Sequence, residues 1–443
     1  MKTKHTYIFK RLTALLTVIC ILGTFVSSCG QKAPNEVESS DTASPAVGDY
    51  LVEPTEPYKV ASATILSTGD IMVHDPQLKG AQVQGSDEWD FSAFFKELAP
   101  YFAAADFSVA NLETTFAGNA GRKYGGYPCF NTPDSLADAI KESGLSMVQT
   151  ANNHSYDTGA NGFERTQQVL QEKGVPYIGT RLSEDMPKYS VQDINGIRVG
   201  FVAYTYESGR RDGLKTLNGI TVKEQHTGLL NSFSYSETDE FYAEVDGIME
   251  EMRADGVEAT VFYMHWGNEY KTTENGRQNA LAQALCDRGV DVIVGGHPHV
   301  IQPIEMLTAA DGEHKTVCIY SLGNAVSDQR VERMDSCPSG HTEDGVLFYC
   351  TFDKYSDGRV ELSDIDIIPT WVDKYPGGSG YQYTIYPLVN IDDDIERYGF
   401  TDTAATKCRN SYERTLEILA KGLTDIQTEI GCEVTFKNIE DIS

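Results

Sequence analysis

Positive charge is what this sequence has least of: 36 Lys and Arg stand against 65 Asp and Glu in 443 residues, a formal charge of −29. Nucleic-acid binding rests on basic faces that displace phosphate counterions, so no nucleic-acid partner is expected. Such an acidic body serves solubility in an extracytoplasmic setting. Paired cysteines are missing too. None of the nine cysteines stands in a CxxC pair, which leaves a zinc knuckle or a thioredoxin-like redox motif without basis. Beyond Cys20 and Cys29 there are seven, Cys129, Cys286, Cys318, Cys337, Cys350, Cys408 and Cys432. An odd number excludes a fully paired disulfide framework within one chain. Cys286, Cys318 and Cys350 sit in apolar contexts and are expected to be buried small residues, while a Cys408–Cys432 bridge stays open. Only one long apolar run exists, and no internal repeat.

That run, Leu12–Val26, follows the basic start Lys2, Lys4, Lys10 and Arg11 and is closed by Ser27-Ser28-Cys29. Basic start, apolar middle and small-residue end are the marks of an export signal. Its 15 residues fall short of the roughly 20 that span a bilayer. The Val-Ser-Ser-Cys ending resembles the bacterial lipobox, which implies lipidation at Cys29 and a chain held extracytoplasmically on the bacterial cell membrane. An ordinary secretory signal or a single anchoring helix is the alternative. Removing four positive charges moves the formal charge from −29 to −33. Residues 30–60 are rich in acid, Ser and Pro without apolar periodicity, and are expected to form a flexible acidic tether.

From residue 61 short apolar runs alternate with amphipathic stretches. Strands are expected at Ala63–Thr68, Phe107–Ala110, Met147–Thr150, Arg198–Tyr204, Ala259–Met264, Val290–Val294 and Val317–Ser321. Helical patterns fall near Ser92–Ala104, Ser135–Glu142, Phe163–Lys173, Glu237–Arg253 and Arg277–Asp287, the last four followed by Gly144, Gly174, Gly256 and Gly289 as C-caps require. The alternation implies βαβ units and a parallel sheet covered on both faces, an α/β fold. Beyond Asn324 a strand pair, Gly345–Phe352 with Arg359–Ile368, and a helix near Ala404–Thr428 are expected. The organisation expected is a main domain over 61–370 and a C-terminal extension over 371–443 carrying the long helix.

Polar residues return to the strand ends, where open α/β sheets place their sites. The runs end in Thr68-Gly69-Asp70, Asn111-Leu112-Glu113, Asn152-Asn153-His154-Ser155-Tyr156-Asp157, His265-Trp266-Gly267-Asn268-Glu269, Gly295-Gly296-His297-Pro298-His299 and Ser321-Leu322-Gly323-Asn324. Each piece alone reads as a cap, a turn or a loop histidine. Together they describe one clustered site. Its groups are oxygen and nitrogen donors without thiolate, a set suited to one or two divalent ions of the Mn, Fe or Zn class. The glycines before His297 are expected to turn the chain so that both imidazoles face one cavity.

These motifs, in this order, resemble the CapA family, named for poly-gamma-glutamate capsule synthesis, over about Ala63 to Asn324. The resemblance implies kinship with calcineurin-like metallophosphoesterases and their four-layer α/β/β/α sandwich with a dinuclear site. It implies metal ligation by Asp70, by Glu113 in the bridging position, and by Asn153, His265, His297 and His299. Three positions depart from that pattern. Residue 72 is Met where the superfamily has His, residue 113 is one methylene longer than Asp, and residue 152 is Asn rather than Gly. Either His74 takes the place of the missing histidine, or the site holds one ion.

Two functional readings follow. In the first the chain is a metal-dependent hydrolase of a phosphoester or other anionic substrate. His154 then acts at the leaving group with Asp157 orienting it, and Asn152, Glu269 and Asn324 line the pocket. Arg122, Lys123 and Tyr124 reach over it to hold an anion, or form a solvated loop. In the second it is a non-catalytic factor that binds or anchors capsule polymer, or belongs to a capsule-synthesis complex, beside the membrane. A nucleotidase-like variant of the first predicts a base-stacking pocket from Tyr124, Tyr127, Phe130 and Tyr206.

Overall fold

The computed structural model describes residues 56–432 apart from residue 121. The export signal with Cys29, and most of the tether, lie outside the described residues. Within them no helix is long and apolar enough to cross a membrane.

The architecture follows from strands buried on both faces. Successive side chains of a strand point to opposite sides, so an unbroken apolar run serves two cores at once. In β1 (Lys59–Ile71) Ile65 enters one cluster and Leu66 another; in β2 (Phe107–Leu112) Val109 and Ala110 divide likewise, as do Met147 and Val148 of β3 (Met147–Gln149). The second sheet repeats the pattern. Phe201 and Val202 of β6 (Ile197–Tyr206), Val261 and Phe262 of β11 (Ala259–His265), and Val292 and Ile293 of β12 (Val292–Gly296) alternate between the shared cluster and a third. The shared cluster is therefore the seam between two sheets packed face to face, and Ser67 Oγ meets Tyr263 OH across it at 2.9 Å.

The first sheet runs β18 (Gly380–Pro387), β17 (Val360–Gly377), β16 (Asp344–Tyr355), β1, β2, β3, β4 (Tyr177–Ile178), with β15 (Asn324–Val326) beside the end of β1. Strands β1 to β4 are parallel, and β16 to β18 add an antiparallel wing. The second runs β10 (Ser232–Phe233), β6, β11, β12, β14 (Lys315–Leu322), β13 (Ile301–Thr308), with β5 (Tyr189–Ile194) antiparallel to β6. A three-stranded ribbon, β7 (Gly209–Arg211), β8 (Leu214–Leu217) and β9 (Ile220–Thr221), stands apart from both.

Helices cover the outer faces. On the first sheet lie α1 (Asp75–Ala81), α2 (Ser92–Phe95), α3 (Ala99–Ala104), α4 (Ser135–Glu142) and α5 (Gly159–Lys173), with Phe94, Phe102, Ile140 and Leu170 in the outer core. After the short α6 (Glu224–Thr227), α7 (Thr238–Ala254) and α8 (Gly276–Cys286) cover the second sheet through Val245, Met252 and Leu285. The four-layer α/β/β/α sandwich is thus present. The single helix expected over Ser92–Ala104 is two helices, because Pro100 in the first turn of α3 has no N–H to continue the preceding one.

The expected boundary between 370 and 371 is corrected. Residue 370 lies in the interior of β17, where Thr370 pairs with Pro387 of β18. After α9 (Ile391–Tyr398), α10 (Asp402–Ile430) inserts Leu419, Leu423 and Ile426 into the seam between the sheets. Helix α10 is thus part of the shared core. Lys59 and Val60, assigned to the tether, already belong to β1. The seven cysteines from Cys129 to Cys432 are free, Cys408 and Cys432 included.

Candidate metal centre

Parallel register explains why the polar motifs meet. Strands that run the same way end at the same edge: Asp70 pairs with Asn111 and Asn324, and His265 with Gly296. The two sheets bring these edges together, and the groups close on one buried carboxylate. Glu113 Oε1 lies 3.4 Å from His265 Nε2, 3.9 Å from His299 Nε2 and 4.0 Å from His154 Nε2. It is fully buried and has no hydrogen-bond partner among the described residues. A buried polar atom is nearly always satisfied, so an oxygen left bare amid imidazole nitrogens has the surroundings of a cation ligand.

Three donor triads converge here: Glu113 with His265 and His297, Asp70 with Glu113 and His299, and Glu269 with His297 and His299. Glu113 belongs to two of them, as a bridging residue would. His74 enters none of the triads among the described residues. It precedes α1, its N–H donates to Gln77 Oε1 at 2.8 Å, and its Nδ1 receives the Asp328 N–H at 3.2 Å. Burial lowers its pKa to about 4 despite the nearby Asp328. Asp70 meets His299 directly, with Oδ2 3.1 Å from Nδ1.

The electrostatics match a site built for positive charge. Burial would raise the Glu113 pKa, but His265 and His299 hold it well below the ordinary carboxylate value. His299 is pushed up to about 9, since Glu113 and Asp70 outweigh the burial that opposes its charge. His297 is driven the other way by burial and by the two neighbouring imidazoles, and its Nδ1 is buried without a partner among the described residues.

His154 faces the cluster through Nε2 because its other nitrogen is tied down. Nδ1 lies 2.7 Å from Asp157 Oδ2, which also accepts the Phe130 N–H at 2.7 Å. Burial opposes the imidazolium, yet the Asp157 carboxylate raises the His154 pKa. Phe130 packs edge-on against the rings of both His154 and His74.

Several expected roles are revised. The expectation that Gly295 and Gly296 supply the turn is corrected, because the left-handed residues are His297 (φ 94°) and His299 (φ 57°) themselves. The glycines serve close approach instead: a Cβ at Gly295 would stand 1.9 Å from Tyr320 O, and one at Gly296 3.0 Å from Asp70 Oδ1. Asn152 braces the strand ends. Its Nδ2 donates to Asn111 Oδ1 at 3.0 Å and Leu112 O at 2.8 Å, and its Oδ1 accepts the His154 N–H. Asn324 is likewise a brace, donating to His299 O, Gln329 Oε1 and Thr342 O. Tyr124 packs against Trp89 at the outer core. Arg122 and Lys123 are exposed, with Arg122 donating to Asp157 O at 3.1 Å. Glu269 is at the rim beside the paired histidines.

Two further residues take part, Asn111 of the strand-end motif Asn111-Leu112-Glu113 and Asn218, which stands in none of the motifs. Asn111 is the hub of the cluster: its Nδ2 lies 2.7 Å from Asp70 Oδ1 and 3.1 Å from Glu113 Oε2. Asn218, at the tip of the ribbon, accepts the Asn153 Nδ2–H at 3.1 Å. Its only sequence signal is Asn218-Gly219, a hairpin dipeptide. Of the expected aromatic pocket, Tyr206 lies 4.8 Å from the His297 ring and Tyr127 is 72% exposed.

The "PGA biosynthesis protein CapA" of Bacillus subtilis is 29% identical over 319 residues, 71% of this chain and 74% of that protein. The "Capsule biosynthesis protein CapA" of Bacillus anthracis is 27% identical over 282 residues, 63% of each, just under two thirds of that relative's length. The calcineurin-like phosphoesterase YfkN of Bacillus subtilis is similar in structure over 81% of this chain and 98% of that one, at 14% identity and a TM-score of 0.37. At that distance the layers described above rest on the chain's own packing. The sequence model described as "Bacterial capsule synthesis protein PGA_cap" matches residues 64–329, and the chain belongs to that family.

Proposed function

We propose, from membership of a capsule-synthesis family and from the bare Glu113 oxygen, that this chain hydrolyses a phosphoester or another anionic ester with a divalent cation, as part of capsule synthesis at the cell surface. The carrying observation is Glu113 Oε1, buried and without a hydrogen-bond partner among the described residues, within 4.0 Å of the Nε2 atoms of His154, His265 and His299. Asp70, Glu113, Asn153, His265, His297 and His299 would hold one or two ions of the Mn, Fe or Zn class, and Glu269 adds a carboxylate at the rim. When bound, such an ion makes water nucleophilic near neutral pH and polarises a phosphoryl oxygen. His154 supplies the proton. With Nδ1 committed to Asp157, Nε2 is the nitrogen left to face substrate, and the Asp157 carboxylate favours the protonated ring that a departing alkoxide needs. Lipid attachment at Cys29, placing the body outside the cytoplasm, is part of the same proposal and rests on the leader sequence alone.

A second reading, a non-catalytic factor that binds or anchors capsule polymer, is favoured by the relatives' names, which speak of biosynthesis and not of hydrolysis. Purified protein incubated with p-nitrophenyl phosphate and bis(p-nitrophenyl) phosphate over Mn2+ and Zn2+ decides between them. We expect turnover that falls ~100- to 10,000-fold in His154→Ala, the usual worth of a positioned proton donor. Polymer binding with no turnover under any ion would establish the second reading instead.

A further inference from the structure

Asn218 reaches the cluster from outside both sheets. It occupies the two-residue turn between β8 and β9 with φ 46°, followed by Gly219 at φ 74°. Two consecutive left-handed residues are what an Asn-Gly hairpin turn supplies. The tip is held in place from both sides, since Leu217 and Val222 are buried in the seam between the sheets. From there Asn218 Oδ1 accepts the Asn153 Nδ2–H at 3.1 Å, and Asn153 Oδ1 faces the cluster, 2.7 Å from His265 Nε2. Asn218 Nδ2 also lies 3.4 Å from His154 Nδ1. That contact holds nothing, because the proton on Nδ1 is directed to Asp157 Oδ2 at 2.7 Å.

A carboxamide has two chemically opposite ends, and only the oxygen binds a cation. Rotation by half a turn would present Asn153's NH2 group to Glu113 and the histidines. An acceptor that occupies the Nδ2–H fixes the oxygen end inward. We infer that Asn218 is a positioning residue that locks the Asn153 amide with its oxygen toward the cation site, so that the β7–β9 ribbon sets the affinity of that site. The inference rests on the cation-site reading of the proposed function.

The test is calorimetric titration of Mn2+ into the cation-free wild-type chain, Asn218→Gly and Asn218→Asp. Glycine keeps the left-handed turn and removes the acceptor; aspartate tolerates the turn and keeps an acceptor oxygen. Loss of an outer partner of a ligand typically weakens metal binding about 10–100-fold, and that loss is expected for Asn218→Gly, with the melting temperature of the cation-free protein unchanged. Asn218→Asp is expected to bind as tightly as wild type or more tightly. Wild-type affinity in Asn218→Gly overturns the inference, as does an Asn218→Asp variant as weak as Asn218→Gly. A wild-type chain that takes up no Mn2+ overturns the cation-site reading and this inference together.

Discussion

Two of the histidines around Glu113 are pushed in opposite directions, with consequences that can be measured. His299 is pushed up to about 9, whereas His297 is driven down by burial and its neighbours. A cation needs the neutral ring, so its binding must expel a proton from His299 at any pH below about 9, and the apparent affinity should rise with pH through the neutral range. The effect on stability has the opposite sign. A group raised in the folded state contributes fully below its ordinary value, here 6.5, and that contribution is lost as pH rises through about 9. The cation-free protein is therefore expected to lose stability from His299 across that window while the loaded protein does not. Urea denaturation with and without Mn2+ at several pH values measures both; a parallel pH dependence of the two would contradict it. At this scale the sequence was a good guide to the carboxylates and imidazoles that meet in the cluster and a poor guide to the amides. Asp70, Glu113, His265, His297 and His299 come together because parallel strand ends must, but which way an Asn side chain points is decided by tertiary partners. Asn152 and Asn324 are therefore braces, Asn111 of the strand-end motif is a hub rather than a ligand, and Asn218 alone reaches the site unannounced.

Elements with both faces buried were legible because they leave unbroken apolar runs, and helices were legible where a glycine ends them. Short edge strands such as β4 and β10, and the polar ribbon β7–β9, leave no such trace. The fit between elements is finer than any pattern of hydrophobicity. Gly422 on α10 lies so close to β13 that an added Cβ would stand 1.9 Å from Ile304 O. Gly422→Ala is expected to destabilise the protein by ~1–3 kcal/mol, as overpacking does. Gly247 on α7 is exposed, with nothing within 4 Å of an added Cβ. There Gly247→Ala should stabilise by ~0.5–1 kcal/mol through helix propensity and a less flexible unfolded chain. Chemical denaturation midpoints of the two variants should move in opposite directions, and a Gly422→Ala midpoint that does not fall would show that α10 does not pack as described.

The molecule as a whole closes on its C-terminal helix, which the sequence placed outside the main domain. Its amphipathic pattern shows that one face is buried but not against what, and a helix 29 residues long can serve an appendage as well as a core. Leu419, Leu423 and Ile426 fill the seam that also holds Ile65 and Val261. Burying each such side chain contributes ~1.5–3 kcal/mol. Three of them therefore match much of the ~5–15 kcal/mol by which a domain is stable. A chain ending at residue 400 is expected to aggregate or to be digested rapidly by protease. Recovery of a soluble truncated form with an unchanged cooperative melt would refute the role given to α10.

The central claim is that the strand ends of both sheets build a cation site around Glu113. Equilibrium dialysis against Mn2+ and Zn2+, followed by elemental analysis of the wild-type chain and of Glu113→Ala, tests it most directly. The account predicts one or two equivalents of ion on the wild-type chain and a marked loss in Glu113→Ala, whose fold is retained by circular dichroism. Wild-type protein with no ion above the dialysis background, or a Glu113→Ala variant that retains the wild-type amount, would contradict it.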